Sequence, residues 1–140
     1  MNPLETVSRI MTREVITVQQ DAPLSTVRSI LRRHAIHHVP VLNGEMLVGI
    51  LSSMDISLLA LDAYVGDDET AAAHLDASFS IPRVMSVEPV AVRPNDPIRH
   101  AAEILGDGSI HSLPVVDEAG RLVGLLTSTD LIRYLAGQYH

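Results

Sequence analysis

The chain of 140 residues has no cysteine and no tryptophan, a single Phe, and an aromatic fraction of only 3%. Without thiols it can form no disulfide and offers no thiolate nucleophile or ligand, a usage that fits a reducing cytoplasm. With so few aromatics, its core must be built from Val, Leu, Ile and Ala, which dominate a 46% hydrophobic fraction. No apolar run approaches the length needed to cross a bilayer. The N-terminal Met-Asn-Pro-Leu-Glu lacks the basic region and apolar run of a signal peptide. A soluble cytoplasmic protein with no membrane contact is therefore expected. Positive charge is also scarce: 10 Lys and Arg face 17 Asp and Glu, a net charge of −7 with His neutral. Such a surface repels phosphate backbones, which argues against nucleic-acid binding. There is no GxGxxG loop and no Walker pattern. No Ser-His-Asp or paired-carboxylate arrangement is defensible from spacing, so no catalytic residue is assigned and an enzyme is not expected.

What the chain does have is an internal repeat. Residues 7–43 overlay residues 81–117 at an offset of 74, which brings Met11 onto Met85, Pro23 onto Pro97, and Ile36-His37 onto Ile110-His111. One inserted residue then raises the offset to 75, so that Leu47-Val48-Gly49 meets Leu122-Val123-Gly124 and Ser52-x-x-Asp55 meets Thr127-x-x-Asp130. The period is too long for a solenoid and reads as a domain duplication. The expected organisation is repeat one over 1–61, a connector over 62–80, and repeat two over 81–140.

Each copy carries the same order of local signals. The β-branched Val15–Val18 reads as a strand. Pro23 and Pro97 open a helix whose apolar residues keep helical spacing: Leu24, Val27, Ile30, Leu31, and Ile98, Ala101, Ala102, Leu105. Glycines at 106–108 suit a left-handed cap. A buried strand follows at Val39–Leu42 and Leu113–Val116, then a turn at Asn43-Gly44 or the longer Asp117–Gly120. A return strand and a Leu-rich second helix complete a β-α-β-β-α unit. In the connector, Asp67–Thr70 precedes Ala71–Leu75 and reads as a short acidic-capped helix, with Phe79 pinning the connector to the core.

Three repeated features carry candidate chemistry. Ser52-x-x-Asp55 and Thr127-x-x-Asp130 read first as capping boxes, in which the hydroxyl and the acid satisfy free N–H groups reciprocally. The same helix end can face a cleft, where a carboxylate accepts two hydroxyl hydrogen bonds, as a ribose diol requires; such charged bonds are worth roughly 1.5–3 kcal/mol. His37-His38-Val39-Pro40 and His111-Ser112-Leu113-Pro114 precede the buried strands. His34, His37 and His38 match no established ligand spacing, so no metal site is assigned. His37 and His111 either donate to a phosphate or ribose or are satisfied by a backbone carbonyl. Gly49 and Gly124 mark close approach, by a ligand or by another strand.

With these motifs in order, the chain resembles a tandem pair of CBS domains (named after cystathionine beta-synthase). Arg9-Ile10-Met11-Thr12, Val15–Val18, His37–Val41, Leu47–Leu51 and Ser52-x-x-Asp55 look like one domain. Arg83-Val84-Met85-Ser86, His111–Asp117, Leu122–Leu126 and Thr127-x-x-Asp130 look like the second. The resemblance implies an α+β fold of two pseudo-symmetric β-α-β-β-α repeats packed as one CBS pair, called a Bateman module. It implies a regulatory adenosyl ligand, such as AMP, ATP or S-adenosylmethionine, in the cleft between repeats, and no tightly held cofactor. By the same resemblance Asp55 and Asp130 bind ribose hydroxyls, with Ser52 and Thr127 close by. Ile16 and Val90, in the first strands, line the adenine pocket, and Val39 and Leu113 flank the base, next to Pro40 and Pro114. Relatives that bind nucleotides often carry Arg just after the His, where this chain has His38 and Ser112. A neutral Ser cannot balance phosphate charge and a His does so only when protonated, so a ligand of low charge is expected, with Arg13 a candidate to compensate.

The expected function is a stand-alone regulatory module that binds an adenosyl ligand and signals to an effector protein. A constitutive dimerisation module with no ligand, or a small nucleotide-processing enzyme, are the alternatives. Surplus apolar residues in the second helices (Leu58, Leu59, Leu61, Leu131, Ile132, Leu135) predict a homodimer.

Overall fold

The alternation of short apolar strands and amphipathic helices resolves into two β-α-β-β-α runs in the computed structural model. It describes residues 2–63 and 68–139, with the side chains of 60–63 and 68 excepted. In the first run, β1 (Val18–Gln19) leads to α1 (Leu24–His34), β2 (His38–Asn43), β3 (Met46–Ser52) and α2 (Ser53–Ala63). The connector holds α3 (Asp68–Ser78), α4 (Ile81–Val84) and the two-residue β4 (Ser86–Val87). The second run is α5 (Ile98–Leu105), β5 (Ser112–Val116), β6 (Leu122–Thr127) and α6 (Ser128–Gly137). The fold is α+β, with one sheet ordered β1-β2-β3-β4 and another made of β5 and β6. Asp67 lies outside the described residues, as does the side chain of Leu61.

The helices follow their apolar spacing. Leu24, Val27 and Leu31 are the buried face of α1, and Ile98, Ala101 and Leu105 the buried face of α5. Pro23 and Pro97 stand at the N-caps with φ of −65° and −62°. The first strands are shorter than the β-branched runs predict. Val15–Thr17 precede β1 as irregular backbone, and β1 pairs parallel with β2 through Val18 and Val41. In the second run the strand shrinks to one bridge, where Val92 N–H donates to Pro114 O at 3.0 Å and Val116 N–H to Val92 O at 2.9 Å. Ile16 and Val90 therefore lie in the connections ahead of these pairings and not in strands. The expected left-handed cap also moves. Gly106, the C-cap of α5, is right-handed, and the positive φ falls on Gly108 (83°).

The chain divides into two compact units that do not coincide with the sequence repeats. Unit 1 comprises Met1–Val15, Glu45–Leu47 and Pro89–His140; unit 2 comprises Ile16–Gly44 and Val48–Glu88. The first fifteen residues of repeat one thus fold with most of repeat two, and the segment that opens repeat two, through Glu88, folds with most of repeat one. In unit 1 a 3-10 turn at Val7–Arg9 is anchored by Val7 N–H to Asp96 O (2.9 Å), and Ile98 N–H returns to Glu5 O (2.9 Å). Val7 and Met11 join Val92, Ala101, Leu105, Leu113, Val115 and Leu126 in its core. In unit 2, Leu75 of α3 and Ile81 of α4 join Val18, Leu24, Val27, Leu31, Val39, Val41, Leu51 and Ile56. Phe79 packs against that cluster, as its solitary aromatic character predicts.

The return-strand glycines are explained by this exchange. A Cβ on Gly124 would lie 2.6 Å from Met11 Sδ, and one on Gly49 would lie 2.4 Å from Met85 Sδ. Each glycine leaves room for the methionine of an entry segment. That segment also pairs there: Thr12 and Leu125 exchange two 2.9 Å backbone hydrogen bonds in unit 1, and β4 pairs antiparallel with Gly49 and Ile50 of β3 in unit 2.

Candidate functional site

Each unit repeats one arrangement where a return strand runs into a helix. In unit 2, Asp55 N–H donates to Ser52 Oγ at 3.1 Å and Ser52 N–H to Asp55 Oδ2 at 2.9 Å. In unit 1, Asp130 N–H donates to Thr127 Oγ1 at 3.2 Å and Thr127 N–H to Asp130 Oδ2 at 2.9 Å. Both are complete capping boxes, so the plainer reading of the motif holds in both copies. The caps fix each aspartate through one oxygen, Oδ2, at the positive end of a helix. Both carboxylates are half-buried. A half-buried carboxylate already held in orientation is suited to receive hydroxyl donors without further ordering cost.

A second repeated contact locks the preceding strand to the same helix. Ser53 N–H donates to His37 O at 2.8 Å, and Ser128 N–H to His111 O at 3.0 Å. The histidines thus act through their backbone carbonyls here. Their rings are exposed, and His37 Nδ1 lies 3.4 Å from Ser53 Oγ. His37 and Ser53 also line a groove of about 430 Å³ between α1 and α2, with Arg28, Arg32, Leu31, Ile36, Ile56 and Ser57. Ser52 and Asp55 are not among the residues lining it.

The other predicted residues divide between core and surface. Val39 and Leu113 are fully buried in the cores of their units, and Pro40 and Pro114 are buried beside them in β2 and β5. His38 is half-buried at the start of β2, and Ser112 is the one buried polar side chain among the described residues, at 7% exposure. Ile16 is half-buried, whereas Val90 is 54% exposed. Arg13 is directed to backbone, donating from Nη2 to Ser8 O at 2.9 Å. Among the described residues no group of three or more His, Cys, Asp or Glu could hold a metal ion, so His34, His37 and His38 do not converge on one.

Sequence reasoning missed the clasp between Tyr134 of α6 and the N-terminal arm. Tyr134 Oη donates to Glu5 Oε2 at 2.5 Å. Glu5 raises the tyrosine above its ordinary value, first through that bond and then, after desolvation, through its charge. Two aspartates move the other way in turns. Asp107 is lowered by the Ser109 backbone N–H and hydroxyl, and Asp117 chiefly by the backbone N–H of Arg121. Both stabilise loops of unit 1.

Residues 7–61 and 81–137 match the CBS domain family model. The chain belongs to the CBS domain family. Among curated relatives it is similar to a homoserine O-acetyltransferase of Methanococcoides burtonii, 33% identical over 92% of this chain but only 24% of that protein. It is also similar to the CBS domain-containing protein YhcV of Bacillus subtilis, 29% identical over 91% of this chain and 84% of that one. The chain thus spans about a quarter of the enzymes it matches and most of the length of YhcV. Among solved structures it is similar to the CBS domain pair of MJ0100 in complex with 5′-methylthioadenosine and S-adenosyl-L-methionine, with a TM-score of 0.79, 28% identity, and coverage of 98% of this chain and 100% of that one. No helix among the described residues is long and apolar enough to cross a membrane.

Proposed function

We propose that this chain is a regulatory CBS pair in which each unit binds one adenosine-containing ligand, and that occupancy is signalled to an effector protein. The reading rests on one observation above others: the same helix-capping aspartate, held by one oxygen, recurs in both units. Asp55 and Asp130 are the proposed ribose ligands. Ser52 and Thr127 stand beside the ribose, Ile16 and Val90 supply apolar contact to the base, and His37 and His111 lie toward the ligand's 5′ substituent. MJ0100, the relative of known structure, binds adenosyl compounds that carry no phosphate. That agrees with His38 and a buried Ser112 at the positions where phosphate-binding relatives carry Arg. Ligands of low charge, such as S-adenosylmethionine or AMP, are therefore expected to bind more tightly than ATP free of magnesium. The cysteine-free composition suits the cytoplasm, and the ligand is bound without being turned over.

A homodimer is part of this reading. Met54 and Leu58 of α2 are 65% and 58% exposed, and Ile132 and Leu135 of α6 are 65% and 42% exposed. Leu59 and Leu131, counted as surplus from sequence, pack instead against the cores of their own units. The remaining exposed apolar side chains are enough to favour association. Light scattering should return twice the chain mass at micromolar concentration; a clean monomer mass would remove this part.

The decisive experiment is a thermal-shift screen against adenosine, AMP, ATP, S-adenosylmethionine and 5′-methylthioadenosine. A ligand at about a hundred times its Kd adds roughly 2.7 kcal/mol of stability. Asp55→Asn and Asp130→Asn keep a capping oxygen but remove the charge. Each should weaken adenosine binding at one site by about tenfold or more, the scale of a charged hydrogen bond of roughly 1.5–3 kcal/mol. A constitutive dimerisation module would instead show no shift with any of these compounds.

A further inference from the structure

Methionine supplies all the sulfur in this chain. Met11 and Met85 hold equivalent positions in the repeats and equivalent positions in the units. Each thioether occupies the space that a side chain on a return-strand glycine would need, 2.6 Å from the Cβ position of Gly124 and 2.4 Å from that of Gly49. The polar atom nearest each of these points is a carbonyl oxygen, Thr12 O or Ser86 O, at 3.0 Å. The two differ in access. Met11 is 9% exposed and belongs to the core of unit 1. Met85 is half-buried and packs against the outside of the unit 2 core. It also joins two short elements, the single-turn α4 and the two-residue β4, whose only strand partners are Gly49 and Ile50.

We propose that Met85 is a reversible oxidation site at which a hydroperoxide converts the thioether to its sulfoxide and loosens β4 from β3. The sulfur lone pair attacks one peroxide oxygen, the O–O bond breaks and an S–O bond forms. With hydrogen peroxide the other oxygen leaves as water, carrying both protons. Sulfur loses two electrons and the peroxide gains them. The product is bulkier and polar, and its oxygen is an acceptor placed against another acceptor, Ser86 O. An apolar seat over a glycine offers it no donor, so the side chain must leave that seat. Met11 carries the same chemistry in a closed site and serves as the internal control. Met54, 65% exposed on α2, reports oxidation without a structural role. The proposal is independent of any ligand. Its reach toward the ribose site follows from chain order, because Ile50 lies two residues before the capping Ser52.

The test treats the full chain with graded hydrogen peroxide and follows each methionine by peptide mass spectrometry while recording the melting temperature. Met54 is expected to oxidise first with no change in melting. Met85 is expected to follow at least tenfold faster than Met11, and the melting temperature to fall by several degrees in step with it. Treatment with methionine sulfoxide reductases should restore both. Met85→Leu should oxidise at Met54 yet keep its melting temperature. Because reductase recovery is read on the natural chain, the test stands even if the variant folds poorly. Equal rates at Met85 and Met11, or complete Met85 conversion with unchanged melting, would overturn the proposal.

Discussion

Unit 1 and unit 2 share a repeat but are closed in different ways. Unit 2 has a two-residue first strand and a helix, α3, that places Leu75 in its core and ties down α1 through Asp76, which accepts from Ser25 N–H and Oγ. Unit 1 has only a bridge in place of that strand and no helix equivalent to α3. It is closed by the N-terminal arm, with Val7 fully buried and Glu5 clasped by Tyr134. The capping boxes, by contrast, agree to within about 0.1 Å between units. The copies have diverged in how their cores are covered and have kept the geometry that holds the aspartates. This is the pattern expected if the caps serve a shared task and the covers serve only stability.

The largest expected effects come from removing a cover. Ile81→Ala deletes a fully buried side chain that the connector donates to unit 2, at a cost of about 2–5 kcal/mol. Hydrogen exchange should then accelerate in β2 more than in β5. Val7→Ala should do the reverse at about 1.5–3 kcal/mol, the value of a buried Val. Equal acceleration in both units would show that they open as one cooperative block and would dissolve the distinction.

A smaller contrast lies at the glycines. Alanine at either position forces a methionine aside, with an overpacking cost of about 1–3 kcal/mol. Gly124→Ala should cost more than Gly49→Ala, because Met11 is enclosed and Met85 has solvent to move toward. Chemical denaturation of the two variants measures the order. Next come the caps. Ser52→Ala and Thr127→Ala should each cost about 1 kcal/mol, and near equality of the two would support the symmetry of the sites.

The smallest effect is one of pH and belongs to unit 1 alone. Tyr134 donates as a neutral phenol, and Glu5 raises its pKa above the ordinary 10.0. A raised value means that the stabilisation is fully present below about 10 and is lost as pH climbs through the higher folded value. Tyr134→Phe should melt slightly below the natural chain at neutral pH, and the difference should vanish at strongly alkaline pH. A difference that persists there would assign the effect to packing and not to the hydrogen bond.

Much of this was legible in the sequence because it is local or periodic. The offset of 74 that becomes 75, the amphipathic spacing of α1 and α5, and Ser52-x-x-Asp55 with Thr127-x-x-Asp130 each specify a structure within a few residues of themselves. Capping is such a case, since the hydroxyl, the acid and the N–H groups they satisfy belong to one helical turn. The short first strands were misjudged for the opposite reason. Val15–Thr17 have strand propensity, but a strand also needs a partner of matching length, and only Val18 and Gln19 find one.

Only the tertiary structure decided which entry segment closes which unit. Arg-x-Met precedes both repeats and a glycine interrupts both return strands, yet a sequence pattern alone does not say that Met11 seats on Gly124 and Met85 on Gly49. Either pairing is chemically equivalent residue by residue, because the two methionines and the two glycines are the same groups in the same local order. The choice depends on which core the arm can reach and complete, a property of packing across more than a hundred residues of chain in the case of Met11 and Gly124. The division between local signal and distant packing also separates the candidate site from its support. The aspartates are set by the turn in which they lie, and the strands that carry them are closed by segments from elsewhere in the chain.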